Sequence, residues 1–423
     1  MREEFLHYVW KYQLFSRQNL TTTQKEALSV LKIGEHNQNS GPDFFNAQLV
    51  LSGQRWAGNV EIHLKSSDWY VHNHQKNPRF DNTILHVVWK DDMVVFDSNN
   101  NPIPTLTLSD RIDSELINRY ETLYSKNLKR INCESQIHEI DPFILQNWME
   151  RLYFRRLERK SEFIIRLLEK TNNDWEAVLF QMLSKTFGSK VNGEAFLLAS
   201  QSIQFGTVRK VRTDLLQLES LFFGVFNLLQ ADLEDEYLSD LKKEYAYLKH
   251  KFQIDEAEIS IQFFRLRPLN FPTIRLSQLA SLYHVHESLF SKLMEASSIN
   301  EIYKIFDLKP SKYWSTHYVF GKESVKKNKS ISKSFVDLII INVILPLKFV
   351  HSRFFDLDVN EEILQLIRAL NPEKNHIIDI FSSLKVNADN AMDSQSLIEL
   401  KSNYCDRNRC LDCKIGFELL RGK

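Results

Sequence analysis

Apolar and polar residues change rhythm once along this chain. Up to about Ser109, short apolar runs alternate with turn-forming residues. From about Asp141, apolar positions return every three or four residues nearly to the end. The first rhythm predicts a sheet with a flanking helix. A helix over Glu3–Phe15 would bury Phe5, Leu6, Val9 and Trp10. Strands are expected at Ala27–Ile33, Ala47–Leu51, Arg55–Lys65, Thr83–Lys90 and Met93–Phe96. The run Ile84, Leu85, Val87 and Val88 predicts burial on both faces, with Asp91 and Asp92 as a hairpin turn into the fifth strand. Asp97–Pro102 closes the region.

The second rhythm predicts a helical domain. Asp141 and Pro142 have the residue types of an N-cap and a first helical position. On that helix Leu145, Trp148, Met149, Leu152 and Leu168 face inward, and Arg151, Arg155 and Arg159 step along another face. Asp174 caps the next helix, which Gly188 follows. Further helices fit Gly193–Ser202, Thr213–Leu229, Glu234–Phe252 and Ser277–Tyr283. Phe335–Val350 reads as a buried helix ending near Pro346, too short and too polar to span a bilayer. Lys322–Lys333 reads as a mobile basic loop. The expected fold class is α+β: a mixed sheet with a flanking helix over residues 1–125, a mostly helical domain over 140–400, and a cysteine-bearing tail over 401–423.

Composition adds limits. Lys+Arg and Asp+Glu both number 54, so no global charge announces nucleic acid or a membrane, although local basic faces remain possible. The charges of Met1–Leu6 fall where a secretory signal needs an apolar core, which makes the cytoplasm the default expectation.

Candidate chemistry gathers in the first region. Asp43 follows Gly41-Pro42, and Glu61, His63 and Lys65 would share one strand face while Val60, Ile62 and Leu64 face the core. Carboxylates are hard ligands for Mg²⁺ or Mn²⁺, and His63 or Lys65 could position water or steady charge on a phosphorane. The plain alternative makes Asp43 a turn residue and Glu61 a solvated strand residue. His63, His72, His74 and His86, with Asp81, could instead form a transition-metal site.

Cys405, Cys410 and Cys413 form C-x4-C-x2-C in the tail, and the remote Cys133 could complete four thiolates. Zn²⁺, a 4Fe–4S cluster and free thiols are all compatible with this set. Arg265, Arg267 and Arg275 flank Phe271 in a proline-bounded segment, a candidate contact with nucleic acid, or else salt bridges around a core aromatic.

Two resemblances follow. Gly41-Pro42-Asp43-Phe44, Gly58-Asn59-Val60-Glu61-Ile62-His63, Ser67-Asp68-Trp69, Leu85-His86-Val87-Val88, Arg267–Pro272 and the C-terminal cysteines resemble the uncharacterised bacterial family 2851 of the domains of unknown function, over nearly the whole chain. The order helix, strand, Asp, strand, Glu resembles the PD-(D/E)xK nuclease superfamily over roughly the first hundred residues. That resemblance implies Asp43 and Glu61 as metal ligands and an acidic residue, Glu3 or Glu4, on the first helix. His63 stands where the superfamily has lysine, and Lys65 lies two residues further on. The cysteine arrangement is similar to that of helicase-associated and CRISPR-associated nucleases holding a 4Fe–4S cluster, although there the lone cysteine precedes the nuclease core. The implied function is metal-dependent phosphodiester hydrolysis of DNA. The alternatives are a non-catalytic nucleic-acid-binding or scaffolding protein with a degenerate core, or a histidine-centred hydrolase of small molecules.

Overall fold

The computed structural model describes residues 1–37, 39–125, 129–255 and 258–422, and its fold is α+β. The chain divides into two units. One comprises Met1–Trp148, Ile380–Val386 and Leu400–Lys423; the other comprises Met149–Asp379 and Asn387–Glu399.

The first unit is built on a six-stranded mixed sheet. Its strands are β1 (Leu28–Lys32), β2 (Glu35–His36), β3 (Phe44–Leu51), β4 (Gln54–Lys65), β5 (Thr83–Lys90) and β6 (Thr105–Thr107). The order is β1-β3-β4-β5-β6, with β2 also paired to β3. β1, β3 and β4 run antiparallel, and β4, β5 and β6 run parallel. Helix α1 (Glu3–Lys11) packs through Phe5, Leu6, Val9 and Trp10, all fully buried. It stops short of Phe15 because Gln13 takes a left-handed backbone (φ 53°), which a helix cannot continue through. Gly58 lets β5 enter beside β4: a Cβ there would lie 2.4 Å from Ile84 Cγ2 and 2.6 Å from the Asn82 carbonyl oxygen.

The expected fifth strand at Met93–Phe96 does not form. Asp92 accepts bonds from Ser67 N–H and the Ser66 and Ser67 hydroxyls at 2.9–3.0 Å, which tie the chain back to the end of β4. β5 pairs in parallel with β4 on one side and with the later strand β6 on the other, so no hairpin exists at Asp91-Asp92. A short helix α2 (Asp68–Val71) follows β4, and α3 (Ser114–Leu123) follows β6. Residues 400–423 return to this unit: Arg119 of α3 donates to the Leu420 and Arg421 carbonyls at 3.2 and 3.0 Å, and Tyr124 to that of Asn408 at 3.2 Å.

The second unit is helical. Helix α4 (Pro142–Lys170) begins in the first unit, where Asp141 Oδ1 accepts from Phe143 N–H at 2.8 Å. It is followed by α5 (Trp175–Phe187), α6 (Ser189–Gln201), α7 (Phe205–Val211), α8 (Leu215–Val225), α9 (Glu236–Phe252) and α10 (Pro272–Val285). Aromatic packing fills the core. Phe180, Phe187, Phe196, Phe222, Phe223, Phe226 and Trp314 are completely enclosed, and the Phe223 and Trp314 rings stack at 5.4 Å. Rings of this size supply large buried area.

Two expectations are corrected here. The helix does not end at Pro346; it runs from Lys333 to Phe354. A π-turn over Ile340–Ile344 precedes the proline, with Leu345 N–H donating to the Ile340 carbonyl, and the wider turn absorbs the lost backbone bond. The resulting 22 residues are long and apolar enough to cross a bilayer, and 72% of the apolar window is buried inside the protein. Lys329, expected in a solvated basic loop, is buried: its Nζ donates to the His317 carbonyl at 2.6 Å and lies 3.4 Å from the Tyr318 ring centroid.

Candidate metal centre

A bulge brings Asp43 and Glu61 together. β3 and β4 lose register between Phe44 and Ala47, where Asn46 takes φ 57°. Such a bulge bends a strand end and re-aims its side chains. Asp43 N–H donates to Glu61 Oε2 at 3.1 Å, and Asp43 Oδ2 accepts from Ile62 N–H at 2.9 Å. Glu61 is therefore no solvated strand residue: its side chain is 6% exposed and that of Asp43 20%.

Helix α1 adds two groups one turn apart on one face. His7 Nε2 stands 3.3 Å from Asp43 Oδ2 and 3.9 Å from Glu3 Oε1. Glu3 is thus the acidic residue of α1 that faces the cluster, while Glu4 lines a neighbouring cleft.

The imidazoles arrive from β4, β5 and the segment after α2. Asn73 takes a left-handed backbone (φ 59°) between His72 and His74. One nitrogen from each of His63, His72 and His74 lies within 4.8 Å of the others. His63 Nδ1 is 2.8 Å from His86 Nε2, and His63 Nε2 is 3.0 Å from His72 Nδ1. Glu61 Oε1 is 3.2 Å from His74 Nε2 and 3.7 Å from His63 Nε2.

Burial dominates the electrostatics. It pushes Glu61 up to about 9, with the charge of Asp43 adding to the effect. It also raises Glu3, against the opposing pull of His7. Burial drives His63 down to about 2 and His86 to about 3, and it lowers His74; neighbouring imidazoles reinforce the first two shifts. For His7, burial opposes the charge, but the hydrogen bond and charge of Asp43, with Glu3 and Glu61, outweigh it and raise the group. Among the described residues, no lysine or arginine pairs with Asp43 or Glu61. His74 Nε2 is buried without a hydrogen-bond partner, although it faces Glu61. Buried carboxylates beside neutral imidazoles form a donor set that suits a divalent transition metal.

Several expected residues stand elsewhere. Both ring nitrogens of His63 are engaged by other imidazoles, so it has none left to orient water. Lys65 is exposed at the far end of β4, opposite Lys90 in the register, and makes no ion pair with either carboxylate. Asp81 accepts from Ser98 at 2.8 Å, away from the histidines. His7 is a residue that sequence reasoning missed; its signal was the four-residue spacing from Glu3 on a helix.

Beside the cluster, a cleft of about 380 Å³ is lined by His7, His36, Arg2, Lys11, Arg407 and Arg409, with Glu4 and Asp412 among its acids. Arg407 and Arg409 belong to the loop between Cys405 and Cys410.

Cys133, Cys405, Cys410 and Cys413 are free thiols lining one small cavity, with room for about one water-sized body (10 Å³). Burial raises all four, Cys413 to about 11.

The arginines divide. Arg265 and Arg267 are exposed. Arg275 is 7% exposed on α10, donates to Gln278 and Asn270, and lies 3.6 Å from the Phe335 ring centroid. It belongs to the core and has no surface to offer nucleic acid. A second basic cavity, about 670 Å³ between α4, α5 and α6, has much of its charge committed: Arg159 pairs with Glu399 and Lys185 with Glu194, each at 2.7 Å.

No curated protein and no solved structure matches the chain. A family model does, that of the protein of unknown function DUF2851, over residues 3–376. With most of its length covered by that model, the chain belongs to the DUF2851 family.

Proposed function

We propose that this protein is a divalent-metal-dependent phosphodiesterase acting on DNA. The observation that carries the reading is that the Asp43 N–H binds Glu61 Oε2 while Glu61 Oε1 faces His74 Nε2 at 3.2 Å and Asp43 Oδ2 faces His7 Nε2 at 3.3 Å. Two carboxylates and an imidazole would hold the ion, which when bound would polarise a phosphoryl oxygen and lower the pKa of a water. Glu3 lies within reach through His7. Charged His7, favoured by its acidic neighbours, would stabilise negative charge developing on the phosphate. Lys11 and Arg407 in the adjacent cleft, where Arg2 and Arg409 pair with Glu4 and Asp412, support an anionic, phosphate-bearing substrate. In this reading α1, β1, Asp43, β3 and Glu61 of β4 would serve as the helix, strand, Asp, strand and Glu of the nuclease resemblance, an order that supports it. His7 takes the place expected of His63 or Lys65, and the imidazoles favour Mn²⁺ or another transition metal over Mg²⁺.

The histidine trio also supports a second reading, a transition-metal hydrolase of small phosphoesters. The test is cleavage of single-stranded, double-stranded and branched DNA, beside a chromogenic phosphodiester, with Mg²⁺, Mn²⁺ or Zn²⁺. The expected result is Mn²⁺-supported DNA cleavage, lost in Glu61→Ala. Turnover of the small ester alone would select the second reading. No turnover of any substrate by metal-loaded protein would overturn both.

A further inference from the structure

We propose that the cavity between α4, α5 and α6 is a binding site for a small organic phosphate of nucleotide size. Its volume, about 670 Å³, lies in the range of small-molecule sites. Arg159, Lys160 and Arg166 of α4, Lys185 of α5 and Lys190 of α6 converge on it, and Glu194 is the acid of the lining. On α4, residues 159, 163 and 166 recur at helical spacing, so Arg159, Phe163 and Arg166 share one face.

The protein answers only part of this charge. Arg159 pairs with Glu399 and Lys185 with Glu194, each at 2.7 Å. Among the described residues, Lys160, Arg166 and Lys190 form no ion pair with a carboxylate. Lys160 Nζ donates to Asn342 Oδ1 at 2.7 Å, a neutral acceptor that leaves an ammonium uncompensated. Burial, with Arg156 and Arg159 adding to it, holds that amine well below the ordinary lysine range. A bound anion would restore the proton and be held by the charge it brings.

The rest of the lining specifies the kind of anion. Ser189 and Lys190 in the first turn of α6 face the cavity, and no side chain caps that turn. The N–H groups and dipole of an uncapped first turn suit a phosphate oxygen. Ser189 takes a left-handed backbone (φ 55°) directly after Gly188, which joins α5 to α6 without a loop and puts that turn at the cavity. Phe163, Met182, Phe335 and Leu338 add an apolar wall. A bare phosphate ion gains nothing from such a wall, whereas a base or a similar flat apolar body does.

The test is calorimetric titration of the full chain in chelator with ATP, AMP, inorganic phosphate and a short DNA duplex. The chelator keeps any metal at the carboxylate–histidine centre out of the readout. Saturable binding of both nucleotides is expected, with inorganic phosphate weaker by about tenfold or more. Arg166→Ala combined with Lys190→Ala, both exposed positions, should weaken ATP binding by about tenfold or more, and Lys160→Gln should do the same. In the unaltered chain, ATP should protect Lys160 from trinitrophenylation, read by mass spectrometry, which does not depend on any variant folding. No saturable binding of either nucleotide would overturn the proposal. So would ATP binding undiminished in the variants, full reactivity of Lys160 in saturating ATP, or binding of the duplex alone.

Discussion

Glu61 shows how one side chain can be inexpensive only in company. Burial lifts its carboxyl to about 9 from an ordinary 4.5, so the folded metal-free chain holds that proton more tightly than the unfolded chain. A group raised in this way favours folding below the unfolded value and loses that contribution as pH rises through the folded one. In chelator, stability should therefore fall between about pH 5 and pH 9, by at most about 1.4 kcal/mol per pH unit from this group. Glu61→Gln should flatten that slope, as read by urea unfolding across the window, and should cut metal-dependent cleavage by about 100-fold or more. An unchanged slope would mean that Glu61 is not the group that titrates. Asp43 and Glu61 were legible in the sequence because a turn and a strand alternation announce themselves locally. The burial of His63 was not, since it depends on His72 and His86, which the alternation rule treats as independent.

At the scale of elements, helices in the second unit were readable from caps. Asp141 and Asp174 bond the first-turn N–H groups expected of them. Close crossings were not readable, because they depend on a distant partner. Gly224 of α8 packs against Tyr245 of α9, and a Cβ there would meet the ring at 2.2 Å. Gly224→Ala should cost about 1–3 kcal/mol through overpacking, measured as a lower denaturation midpoint with an unchanged m-value. Insensitivity would show that these helices part readily. Pro346 follows the same logic: its local rule ends a helix, and only the π-turn before it lets the helix continue. The missing strand at Met93–Phe96 likewise reflects the competing Ser66, Ser67 and Asp92 bonds, formed between residues about 25 apart in sequence.

For the molecule as a whole, the chain begins and ends in the same unit. Sequence periodicity gives no sign of that return; the remote Cys133 beside the C-terminal trio of cysteines is its clearest trace. The loop between Cys405 and Cys410 carries Arg407 and Arg409 into the cleft beside His7. Replacing both arginines with alanine should weaken DNA binding and reduce the slope of log affinity against log salt by about 0.7–0.9 for each phosphate that the protein no longer neutralises. An unaltered slope would remove the cleft from the substrate path.

The most direct measurement is anomalous diffraction from crystals equilibrated with Mn²⁺. The expected peak lies within coordination distance of an Asp43 oxygen, Glu61 Oε1 and His74 Nε2, and it disappears in Glu61→Gln. No peak at that position in well-diffracting, Mn²⁺-saturated crystals, or a peak that persists in the variant, would contradict the assignment of these residues as a metal centre.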